Sequence, residues 1–122
     1  MKHYGAAIMI LVLAAVGYGY ALEPGEASKI QYLITSVETL EGAKFIRNGG
    51  EHDAKAAAAH LRLKLKVAGA KVKTADDFIR ICASKSSLSG EPYRIRFSDG
   101  TTVEAGVFFR NKLKAFTDRV SQ

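Results

Sequence analysis

The chain has 122 residues, with 18 Lys and Arg against 12 Asp and Glu, and a single cysteine. That length holds one domain with little to spare. The formal charge of +6 favours anionic contacts such as lipid headgroups, cell-wall acids or acidic proteins, although solubility alone is the better explanation. Cys82 has no second cysteine to pair with, so no internal disulfide staples the fold, and the basic residues lack the aromatic interleaving of a nucleic-acid surface.

Lys2 and His3 form a short basic lead, Ala6–Val16 is an uncharged apolar run, and Gly19-Tyr20-Ala21 puts small residues where a signal peptidase reads. Crossing a bilayer takes about 20 apolar residues, more than this run offers. The pattern therefore predicts a signal peptide over residues 1–21, with a retained N-terminal anchor as the rival reading. No cysteine stands at the cleavage point, which argues against a lipoprotein. Removing 1–21 takes away Lys2 and leaves 22–122 at about +5, a periplasmic or secreted domain with no stable membrane span.

Pro24-Gly25 opens the domain. Ile30, Leu33, Ile34, Val37 and Leu40 recur at three- and four-residue spacing, which predicts a helix over 26–40 that Gly42 ends. Ala43–Arg47 reads as a short extended segment anchored by Phe45 and Ile46. Asn48-Gly49-Gly50 all tolerate positive φ and turn the chain. Glu51 and Asp53 follow, where acids favour a helix start.

Residues 53–68 carry two signals. His60-Leu61-Arg62-Leu63-Lys64-Leu65-Lys66-Val67 alternates as a strand does, whereas Ala56–Ala59 and the Leu, Lys and Arg content favour a helix. Helix is the reading adopted. One face then carries Ala54, Ala57, Ala58, Leu61, Leu65 and Ala68, and a second carries Ala56, Leu63, Val67 and His60, with Lys55, Arg62 and Lys66 between them. Two apolar faces predict a central helix enclosed on both sides.

Gly69 interrupts. Thr74 with Asp77 predicts a capped start for a third helix, about 75–84, presenting Phe78, Ile81 and Cys82 inward. Cys82 reads as buried packing rather than a nucleophile. Ser84–Gly90 is a hydroxyl-rich loop. Asp99-Gly100 between alternating runs at 93–97 and 101–105 predicts a hairpin. From Gly106 the stripe Phe109, Leu113, Phe116, Val120 predicts a last helix. The expected fold is a small, mostly helical, single-domain α+β protein in the order α-α-α-β-β-α, with one C-terminal hairpin.

FIRNG at Phe45–Gly49, EHDAKAAAAHLRLK at Glu51–Lys64, TADDFI at Thr74–Ile79 and ASKSSLSGEPYRIRF at Ala83–Phe97 together resemble the YfeK-like family of small exported proteobacterial proteins, a domain of unknown function. The resemblance spans most of residues 22–122. It implies a periplasmic or secreted single domain and brings no activity, substrate or cofactor. The matching positions Arg47, Asn48, Gly49, His60, Ser84, Ser86, Ser87, Ser89 and Gly90 are accordingly places to look.

Several chemistries can be weighed on these residues. Glu51-His52 matches the start of a zinc-protease helix, but the position one turn on is Ala56. His52 and His60 would stand about 12 Å apart on a helix, with no third ligand, so neither a metal nor another cofactor is expected. A hydrolase would pair Ser84, Ser86, Ser87 or Ser89 with His60 or His52, with Glu51 or Asp53 as the orienting acid. No G-x-S-x-G elbow or S-x-x-K pairing is present. Arg47, the Asn48-Gly49-Gly50 turn and the helix start after it could bind an anion, against which Glu51 and Asp53 count; the plainer reading pairs Arg47 with one of those acids. His60 on an apolar stripe reads as a hydrogen-bonded core histidine that steadies the serine loop. Lys55, Arg62 and Lys66 read as a solvated strip, able to dock an acidic partner only if exposed beside Arg94 and Arg96. The leading expectation is a small binding or interaction module for an envelope ligand or an acidic protein, its surface built from Arg47, Asn48, Gly49, Glu51, His52, His60 and the loop serines. A small envelope hydrolase using a loop serine with His60 or His52 is the alternative.

Overall fold

The computed structural model describes residues 22–121, so the signal peptide expected at 1–21 lies outside the described residues. Helix α1 (Glu26–Glu38) is followed by strands β1 (Lys44–Arg47) and β2 (Gly50–His52) and by helix α2 (Ala54–Ala68). A 3-10 turn (Gly69–Lys71) leads to the short helix α3 (Ala75–Phe78), which continues as a π-type turn (Ile79–Ala83). Strands β3 (Arg94–Arg96) and β4 (Thr102–Glu104) and helix α4 (Ala105–Val120) complete the chain. The class is α+β, as the sequence predicts.

The helices and the C-terminal hairpin come in the expected order, and the sheet takes in a second hairpin that this order omits. The four strands run β2-β1-β3-β4, all antiparallel. Asn48 and Gly49 link β1 to β2, both at positive φ (52° and 80°), the mirror-image turn that Asn-Gly favours. The segment expected only to be extended is thus paired on both sides. Glu51 lies in β2 rather than at a helix start, and its carboxylate pairs with Arg96 at 2.9 Å.

Strand pairing puts His52, Phe45, Ile95 and Val103 in one row across the sheet. Phe45 and Ile95 on that row are buried, while Lys44, Glu51, Arg94, Thr102 and Glu104 of the opposite face are exposed. Such alternation is the mark of an antiparallel sheet covered on one side. The helices supply the cover: Ile30, Leu33, Ile34 and Val37 of α1, Ala58 and Leu61 of α2, Phe78 and Ile79, and Phe109 of α4 share one core with the sheet. Helix α1 stops at Glu38, so Leu40 packs against the core from the following turn rather than from the helix.

Two local devices fix the third helix. Thr74 Oγ1 accepts from Asp77 N at 3.1 Å while Asp77 Oδ2 accepts from Thr74 N at 3.3 Å, the reciprocal cap the sequence predicts. The π-type turn then adds a residue to the coil. Ile79 is buried together with Phe78, Cys82 and Ala83, and Ile81, expected inside, is only half-buried. Ser84 Oγ donates to the Ile79 carbonyl at 2.7 Å and so satisfies an acceptor at that turn. A Cβ on Gly106 would come within 2.9 Å of the Ser84 hydroxyl oxygen, so a side chain there would push that hydroxyl off its bond to Ile79.

The enclosure expected for α2 is half right. Asp53 caps it, its Oδ1 accepting from Ala56 N at 2.8 Å, and Ala57, Ala58 and Leu61 are buried. Its second apolar face is left uncovered by the described residues: Ala56, Leu63 and Val67 are exposed. The alternation at 60–67 that suggested a strand arises because helix faces are filled by Leu and Val on two sides and by Lys and Arg between them.

Candidate functional site

The open side of α2 borders a groove. Leu63, Lys64 and Val67 form one bank, the serine loop with Ser86, Ser87 and Leu88 the other, and Arg47 and Asn48 close the end. Its volume is about 410 Å³, within the range of small-molecule pockets.

Backbone bonds build the serine-loop bank. Ser86 N donates to the Glu91 carbonyl and Gly90 N to the Ser86 carbonyl, at 2.9 and 3.0 Å, and Tyr93 N donates to the Ser84 carbonyl at 2.9 Å. The loop therefore closes on itself. Ser86 is its pin, 5% exposed. Its Oγ accepts from Leu88 N, from Ser89 N and, across 38 residues of sequence, from Asn48 Nδ2, each at 3.2 Å. Ser89 Oγ returns a bond to Asn48 Oδ1 at 2.6 Å. The positive φ of Asn48 is what aims its amide at the loop, and Asn tolerates that conformation better than other non-glycine residues.

The expected candidates thus divide. Asn48, Ser86 and Ser89 come together, with Arg47, His60 and Ser87 on the same groove. Gly49 serves the turn, Gly90 closes the loop and Ser84 is turned to the Ile79 carbonyl. Glu51 is paired with Arg96, and His52 lines a smaller adjoining cavity of about 40 Å³ whose wall shares Arg47, His60 and Tyr93 with the groove. The turn and the start of α2 do not form one anion cradle, because the turn is the tip of a hairpin and the Asp53 carboxylate occupies the helix start. Nor does Arg47 pair with Glu51 or Asp53; no ion pair of Arg47 occurs among the described residues.

His60 is half-buried and holds a tyrosine, not a serine. Its Nε2 lies 3.4 Å from Tyr93 Oη, and the rings meet edge-on at 6.0 Å. Burial, then the charges of Arg47, Lys64 and His52, lower its pKa below the ordinary histidine value. Lys64 Nζ donates to Tyr93 Oη at 3.0 Å and to the Lys85 carbonyl at 3.2 Å, and lies 5.1 Å from the centre of the Tyr93 ring. Among the described residues no serine hydroxyl is hydrogen-bonded to His60 or His52, so the pair a hydrolase needs is not assembled. Cys82 is buried, and burial pushes its thiol pKa up, away from the reactive thiolate.

The basic strip is partly neutralised. Arg62 meets Glu38 through two nitrogens, at 2.8 and 3.3 Å, and Arg94 and Arg96 stand on the outer sheet face rather than beside it. Sequence reasoning missed Lys64, Lys71, Tyr93, Leu63, Val67 and Leu88 as groove residues. Leu63 and Val67 carried a signal as part of the second apolar face with His60, and Leu88 as the single large apolar residue in a hydroxyl loop.

Fold and groove define a two-layer α+β domain with a built polar clasp, and no helix among the described residues is long and apolar enough to cross a membrane. The chain belongs to the family described as "Family of unknown function (DUF5329)", which matches residues 24–117. It is 32% identical over 93 residues to the "Uncharacterized protein YfeK" of Salmonella typhimurium (strain LT2), covering 76% of this chain and 77% of that protein. No solved structure matches.

Proposed function

We propose that this protein is an exported, non-catalytic binding module of the cell envelope, and that its ligand lies in the groove between α2 and the serine loop. One observation carries the reading: the bonds from Asn48 to Ser86 and Ser89 join two distant stretches of sequence around a concave surface beside Arg47. Hydroxyls and an amide tied into one network hold such a surface in shape before a ligand arrives, which lowers the entropy lost on binding. Export rests on the leader pattern at 1–21.

A thermal-shift screen of the purified chain tests it, using peptidoglycan fragments, anionic lipids, divalent metals and small acids. A ligand that prefers the folded state raises the melting temperature. The expected result is a rise with an anionic component that Arg47→Ala reduces, while the melting temperature of the unliganded variant stays within about 2 °C of the parent, as for surface substitutions generally. A rise that survives Arg47→Ala and Val67→Asp unchanged places the ligand elsewhere and refutes the reading.

A further inference from the structure

We infer that the groove takes a monomeric amphiphile, one alkyl chain with one anionic head group. This rests on the groove being the ligand site and adds the chemistry of what fills it.

The apolar half of the argument is the placing of side chains. Among the described residues five large hydrophobic side chains are exposed, and three of them, Leu63 (57%), Val67 (79%) and Leu88 (95%), line this one groove. Scattered exposed leucines mean nothing, whereas a cluster on a concave surface marks an interaction site. The polar half is the charge. Arg47, Lys64 and Lys71 border the groove and no carboxylate does. Three arginines elsewhere are neutralised, Arg62 by Glu38, Arg80 by Asp77 and Arg96 by Glu51, while the exposed Arg94, Arg110 and Arg119 have no ion pair among the described residues and do not line this groove. Lys64 is fixed in place by a hydroxyl and a carbonyl, both neutral, so its orientation is set and its charge is left over.

These two features together select the ligand. A sugar-peptide fragment would leave Leu63, Val67 and Leu88 in water, and a metal cation would be repelled by three positive groups. A bilayer surface is met by a convex apolar patch, not by a trough of about 410 Å³. The leader of this same chain is apolar but has no acidic residue to meet the cations. An alkyl acid satisfies both halves, with its head at Arg47 and Lys64 and its chain along Leu63, Val67 and Leu88.

The test is titration calorimetry on the full chain with decanoate, dodecanoate and tetradecanoate below their micelle concentrations, beside dodecyl phosphate, dodecyl maltoside and dodecyltrimethylammonium. Affinity should rise about fourfold for every two methylenes added, as for groups half covered by a wall. The carboxylate and the phosphate should bind, the neutral head at least tenfold more weakly and the cationic head not at all. Val67→Asp, at an exposed position, should abolish binding with an unchanged circular dichroism spectrum, and Lys64→Gln should weaken it severalfold. Equal binding of all head groups, or no dependence on chain length, overturns the inference. So does sedimentation with anionic phospholipid vesicles without monomer binding, or a dimer that Val67→Asp dissociates while dodecanoate goes unbound. If a peptidoglycan fragment raises the melting temperature through Arg47 and no alkyl acid binds, this inference falls and the binding module stands. If every response survives both Arg47→Ala and Val67→Asp unchanged, both fall.

Discussion

The two apolar sides of α2 are written in nearly the same residues, and the fold treats them oppositely. Ala58 and Leu61 are sealed against α1 and the π-type turn, while Leu63 and Val67, two and six residues beyond Leu61, face water. Helical periodicity creates both stripes. Only the arrival of other elements decides which one is covered, and the described residues supply neighbours for one. The sealed side holds the fold together, and the open side leaves apolar surface exposed beside Lys64 and Lys71.

The sharpest way to break this contrast is to truncate both sides. Leu61→Ala should lower unfolding free energy by about 2–4 kcal/mol, the range for a buried leucine leaving a cavity. Val67→Ser should change it by less than about 0.5 kcal/mol. Urea denaturation of the two variants measures the difference, and similar losses would mean that the open side is structural as well. A smaller effect is expected at the clasp. Asn48→Ala removes both side-chain bonds to the serine loop and leaves a non-glycine residue at φ 52°, for about 1–2 kcal/mol. Asn48→Gly relieves the backbone and keeps the bond loss, so it should recover part of that, and full recovery would show that the bonds stabilise nothing.

The smallest effect is the pH dependence. His60 binds a proton less readily in the folded chain than in the unfolded one, because of burial and the charges of Arg47, Lys64 and His52. Its contribution to stability is therefore complete above the ordinary histidine value of about 6.5 and declines as pH falls below it. His60→Gln should flatten the stability profile between pH 7.5 and 5.5 relative to the parent, as followed by urea midpoints. An unchanged slope would mean that the imidazole titrates as freely as in the unfolded chain.

Much of this was legible before the structure. The α1 stripe, the Thr74–Asp77 cap, the Asp99-Gly100 hairpin and the burial of Cys82 follow from local rules that nothing overrode. The first hairpin was missed although Asn48-Gly49 carries the same turn signal as Asp99-Gly100. Its second strand has only three residues, Gly50, Glu51 and His52, and too little alternation to register as a strand. Asp53, a true helix cap, drew Glu51 with it into the helix reading. The candidate site was half legible for a related reason. Asn48 and the serines lie in conspicuous turns, but Lys64, Tyr93 and Leu88 meet at the groove only through tertiary packing, which leaves no trace in spacing.

The Ser86 hydroxyl has one more consequence. A single oxygen receives the amides of Leu88 and Ser89 from within the loop and the side chain of Asn48 from the hairpin, so the closure of the loop and its hold on the hairpin meet at one atom. Widening the gap between hairpin and loop by about an ångström would break the Asn48 bonds to Ser86 and Ser89 and leave the Ser86 oxygen to the two loop amides alone. Those two backbone amides are in effect a strain gauge for the groove, and their nuclear magnetic resonance shifts and solvent exchange would register whatever enters it without any label being attached.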